Sequence, residues 1–289
     1  MGQKGIKGRY PFHWHMAKET DPEKTYFKDN AIHDVFQRCV TVHGTHNVNV
    51  VNNVAYNTFG HCYFMEDGGE KNNTFHHNLG LGTKRMTESP CERTGGTIPS
   101  DRLPSTFWIT SPLNVLTENS AAGSEGIGIW YIFSSKYNFT IVYYWYLKKI
   151  FSIFTDEVTG PSALEGFYEE GEAFRTSITK FESNTVHSNE QTGFFFGSAM
   201  QPDQDFNGHC GPGGTDAYNP KIDPKDPNSE DASNLIKSLT AFKNREQNTW
   251  VDCRRTTYDD YKSADSYLGY TQKHDCDVIN SIFIGESGK

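Results

Sequence analysis

Two imidazoles stand at alternate positions in Phe12-His13-Trp14-His15-Met16, and two adjacent carboxylates, Glu66 and Asp67, precede a pair of glycines. Histidine has the ordinary pKa nearest neutrality, and a neighbouring carboxylate suits it to general acid–base work. In an extended strand alternate residues share a face, so His13 and His15 are expected to point the same way. In Val40-Thr41-Val42-His43 the two valines read as the inward pair, leaving Thr41 and His43 outward. That run recurs 23 residues later as Tyr63-Phe64-Met65-Glu66, which sets Phe64 and Glu66 on the same outer face. Strands stacked about 4.8 Å apart would gather His13, His15, His43 and Glu66 into one surface patch, with Asp67 at its edge.

Adjacent strand residues point oppositely, so Glu66 and Asp67 serve one reaction only if the glycines after them bend the chain. Asp29 and Asp34 are alternative carboxylates one repeat earlier. A metal reading also stands: His13, His15, His61 and Glu66 supply nitrogen and oxygen ligands suited to a transition metal. Glu66 and Asp67 alone would suit calcium. The remaining histidines His33, His76, His77 and His187 read as structural, stacked at corners. Cys39 and Cys62 sit near matched positions, as buried hydrophobes or a bridge between repeats. Trp108, Trp130 and Trp250 read as core or corner residues.

The elements that must position these groups are short strands. Helical periodicity is scarce, while β-rich runs end regularly in Asn, Gly or His. Ile32-His33-Asp34-Val35 is matched 19 residues later by Val51-Asn52-Asn53-Val54. Related spacings run from Asn73 to Asn78, from Asn184 to Asn189 before Phe194-Phe195-Phe196, and from Asn244 to Asn248 before Trp250-Val251. A period of about 20 to 24 residues with two strands per repeat predicts an all-β solenoid, the right-handed parallel β-helix. Asn at each corner tolerates left-handed backbone and bonds to Asn in the next repeat. A β-sandwich would also give many short strands, but has no reason to repeat Asn at matched positions.

The whole of 1–289 therefore reads as one β-helix domain, with two segments that fit poorly. Residues 201–233 hold five of the 12 prolines and no strand pattern, and read as a long loop. Residues 134–157 include KYNFTIVYYWYLKKIFSIFT (136–155), a run of Tyr, Phe, Ile, Lys, Val and Thr favoured by AT-rich codons. One reading is a hydrophobic hairpin packed on the β-helix; the composition points rather to translated intron or a gene-model error, an idea that an mRNA carrying these codons between mapped exons would sink.

Net charge is −9 over 289 residues and lies unevenly. Residues 1–133 hold 12 Lys+Arg against 13 Asp+Glu, and residues 134–289 hold 15 against 23. An acidic chain without a basic stripe is a poor nucleic-acid binder. No run of about 18 uncharged apolar residues is present to span a membrane as a helix. The six cysteines form no CxxC pair, which counts against zinc of the usual finger spacing. Sequons at Asn72 and Asn138 permit glycosylation and an extracellular home.

Five motifs, RYPFHWHM (9–16), RCVTVHGTHN (38–47), GHCYFMEDGGE (60–70), STFWITSPLN (105–114) and AAGSEGIGIWYIF (121–133), together resemble the cell-surface hyaluronidase family. That family takes in hyaluronan-binding relatives and, more distantly, fibrocystin-L. AFKNREQNTWV (241–251) and SIFIGESG (281–288) continue the resemblance. It implies a parallel β-helix from a large secreted or membrane-anchored protein, incomplete at both ends, so that outer repeats expose apolar edges.

The resemblance further implies an endo-acting glycosidase on hyaluronan or a related polysaccharide. Glycoside hydrolysis needs a proton donor and a second carboxylate. Glu66, Asp67, His43 and His15 are the catalytic candidates, and His13, Arg9 and Arg38 the substrate-binding ones. A polyanion would call on the nearby cations Arg9, Arg38, Lys84 and Arg85. The metal stays unassigned, calcium among the options. The alternative is a non-catalytic carbohydrate-binding or adhesion ectodomain of the fibrocystin-L type.

Overall fold

The computed structural model describes residues 2, 9–66, 68–86, 103–133, 168–169, 171–198, 200–202, 210–212 and 217–286. Three parallel sheets of eight strands each wind around one core, each coil of chain giving one strand to each sheet. This is the expected parallel β-helix. The first sheet runs, in spatial order, Phe12–Glu19, Val40–His46, Tyr63–Met65, Ser105–Ile109, Ile127–Phe133, Thr192–Ser198, Gln247–Asp252 and Thr271–Lys273. Among the described residues helix is confined to the single turn Glu172–Arg175.

Alternation fills the interior. Phe12, Val40 and Tyr63 lie opposite one another, then Phe107, Ile129 and Phe194. The second sheet sends in Val50, Phe75, Leu116 and Phe181, all in the main buried cluster. Burying each such side chain stabilises the fold by about 2 kcal/mol.

A left-handed residue turns the chain from the second sheet to the third in every coil: Asp29, Asn52, His77, Glu118, Ser183, Ser238, Asp260 and Asn280 all have φ between 50° and 58°. Such backbone costs about 1 to 2 kcal/mol for a residue with a side chain. Asparagines immediately after it offset that cost. Asn53, Asn78, Asn119 and Asn184 form a buried ladder, each side-chain carbonyl accepting the amide of the coil before, at 2.9–3.1 Å. A second ladder joins Asn189 to Asn244 at 2.8 Å.

Three sequence expectations change. Each coil has three strands rather than two, because the corner residue splits one apolar run into separate strands such as Asn49–Val51 and Val54–Phe59. The 19-residue match fails: Ile32 lies opposite Ala55, while Val51 belongs to another sheet and lies between Lys28 and His76. The 23-residue match holds, with Val40 opposite Tyr63. Within residues 201–233, where no strand was expected, Met200–Pro202 pairs antiparallel with Cys210–Pro212, and Tyr218 is buried in the core. The segment 134–157 lies outside the described residues.

Cys39 and Cys62 form a disulfide between consecutive coils. Trp108 and Trp130 are buried, yet on the outer face of the first sheet, in a second apolar cluster with Phe64, Phe195 and the partly buried Trp250. The corner ladders are built of asparagine, not histidine. His33 bonds to Asp34, His76 to Thr117 and His77 to Asn52, while His187 stacks on Phe242.

Candidate functional site

The outer face of the first sheet carries two rows of side chains. One reads His13, Thr41, Phe64, Trp108, Trp130, Phe195, Trp250 across successive strands. In the other, His15 lies opposite His43, and the main-chain N–H of Glu66 donates to Val42 in the neighbouring strand. Strand alternation thus gathers His13, His15, His43 and Glu66, as the sequence led us to expect.

The contacts are close. His15 and His43 face each other through Nδ1 atoms 3.0 Å apart, so one of the two carries the proton. Glu66 Oε2 lies 3.5 Å from His43 Nδ1 and 3.8 Å from His13 Nε2. The rings of His13 and His43 stack nearly parallel at 5.7 Å, and His15 meets both edge-on. One ligand atom from each imidazole falls within 4.8 Å of the others. Glu66 is buried and His15 exposed, so the cluster runs from the protein surface inward.

Glu70 holds this arrangement together and was missed in the sequence. Its buried carboxylate accepts the N–H of Gly44, beside His43, at 3.1 Å, and that of Gly68, just beyond Glu66, at 2.8 Å. A second glutamate two residues beyond Glu66-Asp67-Gly68 was the available signal. Tyr10 was also missed; its ring lies 4.9 Å from that of His13.

His61 does not join the cluster. It is buried, with Nδ1 accepting the Ser105 N–H at 2.9 Å and its ring tilted against Trp108 at 4.2 Å. Burial, and then the charge of Arg38, push its pKa well below the ordinary histidine value. His43 takes its place among the imidazoles. Arg38 is buried, its guanidinium 4.0 Å from the Phe64 ring and 5.9 Å from that of Tyr10. It sits at the base of the patch, whereas Arg9 is exposed.

Lys84 and Arg85 lie elsewhere. Lys84 stands over Phe59 in the third sheet, and Arg85 bonds to Glu125 and pairs with Glu190. Asp29 and Asp34 are corner residues engaged with Asn52 and Asn57. Asp67 and Asn138 lie outside the described residues. Asn72 is exposed on a left-handed corner. Farther along the same face Asp252, buried and unremarked in the sequence, pairs with His274 at 3.2 Å and Lys273 at 3.5 Å.

Residues 1–141 match the family model described as CEMIP beta-helix. The mouse cell migration-inducing and hyaluronan-binding protein is 32% identical over 322 aligned residues, which take in 100% of this chain and 22% of that protein. Human cell surface hyaluronidase CEMIP2 is also 32% identical, over 99% of this chain and 22% of its own length. The zebrafish (Danio rerio) cell surface hyaluronidase is 31% identical, over 99% and 21%. The chain thus spans less than a quarter of the length of these relatives.

Proposed function

From the match of residues 1–141 to the CEMIP beta-helix family and the 32% identity to its relatives, we propose that the chain is the hyaluronan-engaging β-helix of an extracellular protein, cleaving the polysaccharide internally at the His13–His15–His43–Glu66 patch. The observation that carries the reading is the convergence of His13 and His43 on one buried carboxylate, Glu66, with His15 set against His43. Glu66 delivers a proton to the glycosidic oxygen, with His43 at 3.5 Å to restore it and His15 to pass it towards solvent. Asp67 is the proposed second carboxylate. His13, Arg9 and Arg38 receive the acidic sugar, Arg38 acting through its charge from beneath Phe64 and Tyr10. Local cations of this kind let a chain of net charge −9 hold a polyanion.

An oxidising exterior is supported by the Cys39–Cys62 disulfide, and the exposed Asn72 is a proposed glycan site alongside Asn138. Among the described residues no helix is long and apolar enough to cross a membrane. Anchorage of the parent protein to a membrane is a further proposal.

The test is the change in size of long fluorescent hyaluronan, followed by gel filtration. Glu66→Gln should abolish the shortening and leave binding in place, since the amide keeps the shape and loses the proton transfer. Binding and cleavage both unchanged in that variant would remove Glu66 from the reaction. A non-catalytic carbohydrate-binding module is the second reading. It is favoured by one fact: among the described residues Glu66 is the carboxylate placed against the imidazoles, whereas glycosidases use two. Hyaluronan retained at full length by a β-folded sample would support it.

A further inference from the structure

We propose that His13, His15 and His43 form a site for one divalent transition-metal ion, zinc above all, with Glu66 beside the ion's open coordination position. The donor atoms already stand within 4.8 Å of one another. Around a tetrahedral zinc with nitrogens at about 2.0–2.1 Å, donors lie about 3.3 Å apart, so closure needs side-chain movements of about 1 Å. Rotation about χ1 and χ2 supplies that without moving the strands.

The site is built on rigid parts. His13 and His15 are alternate residues of one strand, and His15 is directly opposite His43 on the next. Glu70 fixes Gly44, and with it the end of the turn that carries Glu66. Ligands held by paired strands keep their mutual positions better than ligands on loops.

The donor chemistry selects the ion. Calcium takes six to eight oxygens, and here three of the four converging groups are nitrogen donors. Neutral imidazoles suit zinc, copper and nickel. The Nδ1 atoms of His15 and His43 already stand 3.0 Å apart, close to the spacing of two nitrogens on one ion. Three imidazoles leave the fourth position open, as in catalytic rather than structural zinc sites. Glu66 Oε2, 3.5 and 3.8 Å from two of the rings, is placed to accept from a water bound there.

This inference rests on the proposed cleavage at the same face and refines its proton path: with an ion bound, the three imidazoles would hold it rather than pass protons, and Glu66 would take a proton from the bound water and return it to the glycosidic oxygen. Its test reads the metal alone. The full 289-residue chain, stripped with chelator, is titrated with Co²⁺ under visible absorption and then with competing Zn²⁺. Expected are about one cobalt per chain with the intense band of a tetrahedral site, and its displacement by zinc. His15→Ala, at an exposed position, and His43→Ala should each weaken binding by more than about a hundredfold, whereas Glu66→Gln weakens it by about tenfold or less. His77→Ala, on another sheet, should change nothing. Circular dichroism keeps the variants comparable, and His15→Ala decides the matter if His43→Ala fails to fold. Absence of a cobalt band in the folded parent, or full affinity in folded His15→Ala, would overturn the site. Metal binding without hyaluronan cleavage would leave the site standing and count only against the glycosidase.

Discussion

Replacing Asn119 with alanine removes the middle of the buried ladder, and its cost follows from the partners it leaves. The side-chain oxygen accepts the Asn78 main-chain N–H and the Asn78 side-chain amide, both at 3.0 Å. The side-chain amide donates to the Phe75 carbonyl at 2.8 Å and to Asn184 Oδ1 at 3.1 Å. Asn184 Oδ1 still receives the main-chain N–H of residue 119, and the Asn78 amide still reaches the Val50 carbonyl. The Asn78 N–H keeps no such substitute. Four hydrogen bonds at about 1 kcal/mol each, plus about 1 kcal/mol for that buried donor, set the loss, and about 1 kcal/mol of recovered side-chain freedom offsets it. The expected net destabilisation is about 4 kcal/mol. Urea unfolding followed by circular dichroism reads it, as a midpoint lowered by about 1 M or more for a chain of this size. Asn30→Ala is the internal comparison: that residue is half-buried and its side-chain amide donates only to Lys28 and, at 3.3 Å, to Asn53, so its loss should be about 1 kcal/mol. Equal midpoints for the two variants would refute the ladder as a source of stability.

The other expectations are simpler. Replacing Cys39 and Cys62 by serine opens a loop of 23 residues and should cost about 3 kcal/mol, read by the same urea titration. His61 is neutral in both folded and unfolded chains at alkaline pH; below about pH 6.5 only the unfolded chain takes up its proton, so stability falls with falling pH by up to about 1.4 kcal/mol per unit from this group. His61→Asn keeps an acceptor for the Ser105 N–H and should flatten that slope; an unchanged slope would clear His61 of the effect. A Cβ on Gly128 would stand 2.5 Å from the Gly193 carbonyl oxygen and 2.8 Å from Asn189 Nδ2, so Gly128→Ala should lower stability by about 2 to 3 kcal/mol in thermal or urea unfolding. A loss below about 0.5 kcal/mol would mean that the coils slide apart freely there.

Much of this was legible because a β-helix writes its periodicity into residue types. Asparagine recurs where backbone strain and buried amides coincide, which is why Asn78 and Asn184 betray their corners, although Asn119 between them went unread. Alternation in Val40-Thr41-Val42-His43 was enough to bring His43 to His15 and Glu66. What failed was phase. A strand of three residues, such as Thr74–His76, carries too few alternations to announce itself, so two sheets were read as one. Coils also differ in length: Tyr63 pairs with Phe107, 44 residues on, where Val40 and Tyr63 are 23 apart. Spacing therefore misassigned Ile32 and Val51, and it grouped Lys84 and Arg85 with a patch that lies on another face. His61 was legible as a histidine near the site, but burial against Trp108 and Arg38 is a property of the packed face and not of its neighbours in the chain.

The link between Cys39 and Cys62 also bears on how the molecule yields to force. The bonds that join coil to coil, such as Thr74 N–H to the Val48 carbonyl and Thr185 N–H to the Asn119 carbonyl, are loaded in opening rather than in shear when the two ends are drawn apart along the stack. Coils then peel singly, and the molecule lengthens in steps at modest tension. The covalent link withholds its 23-residue segment from that lengthening, about 80 Å of contour, which a reductant would release as one added step in a single-molecule pulling trace.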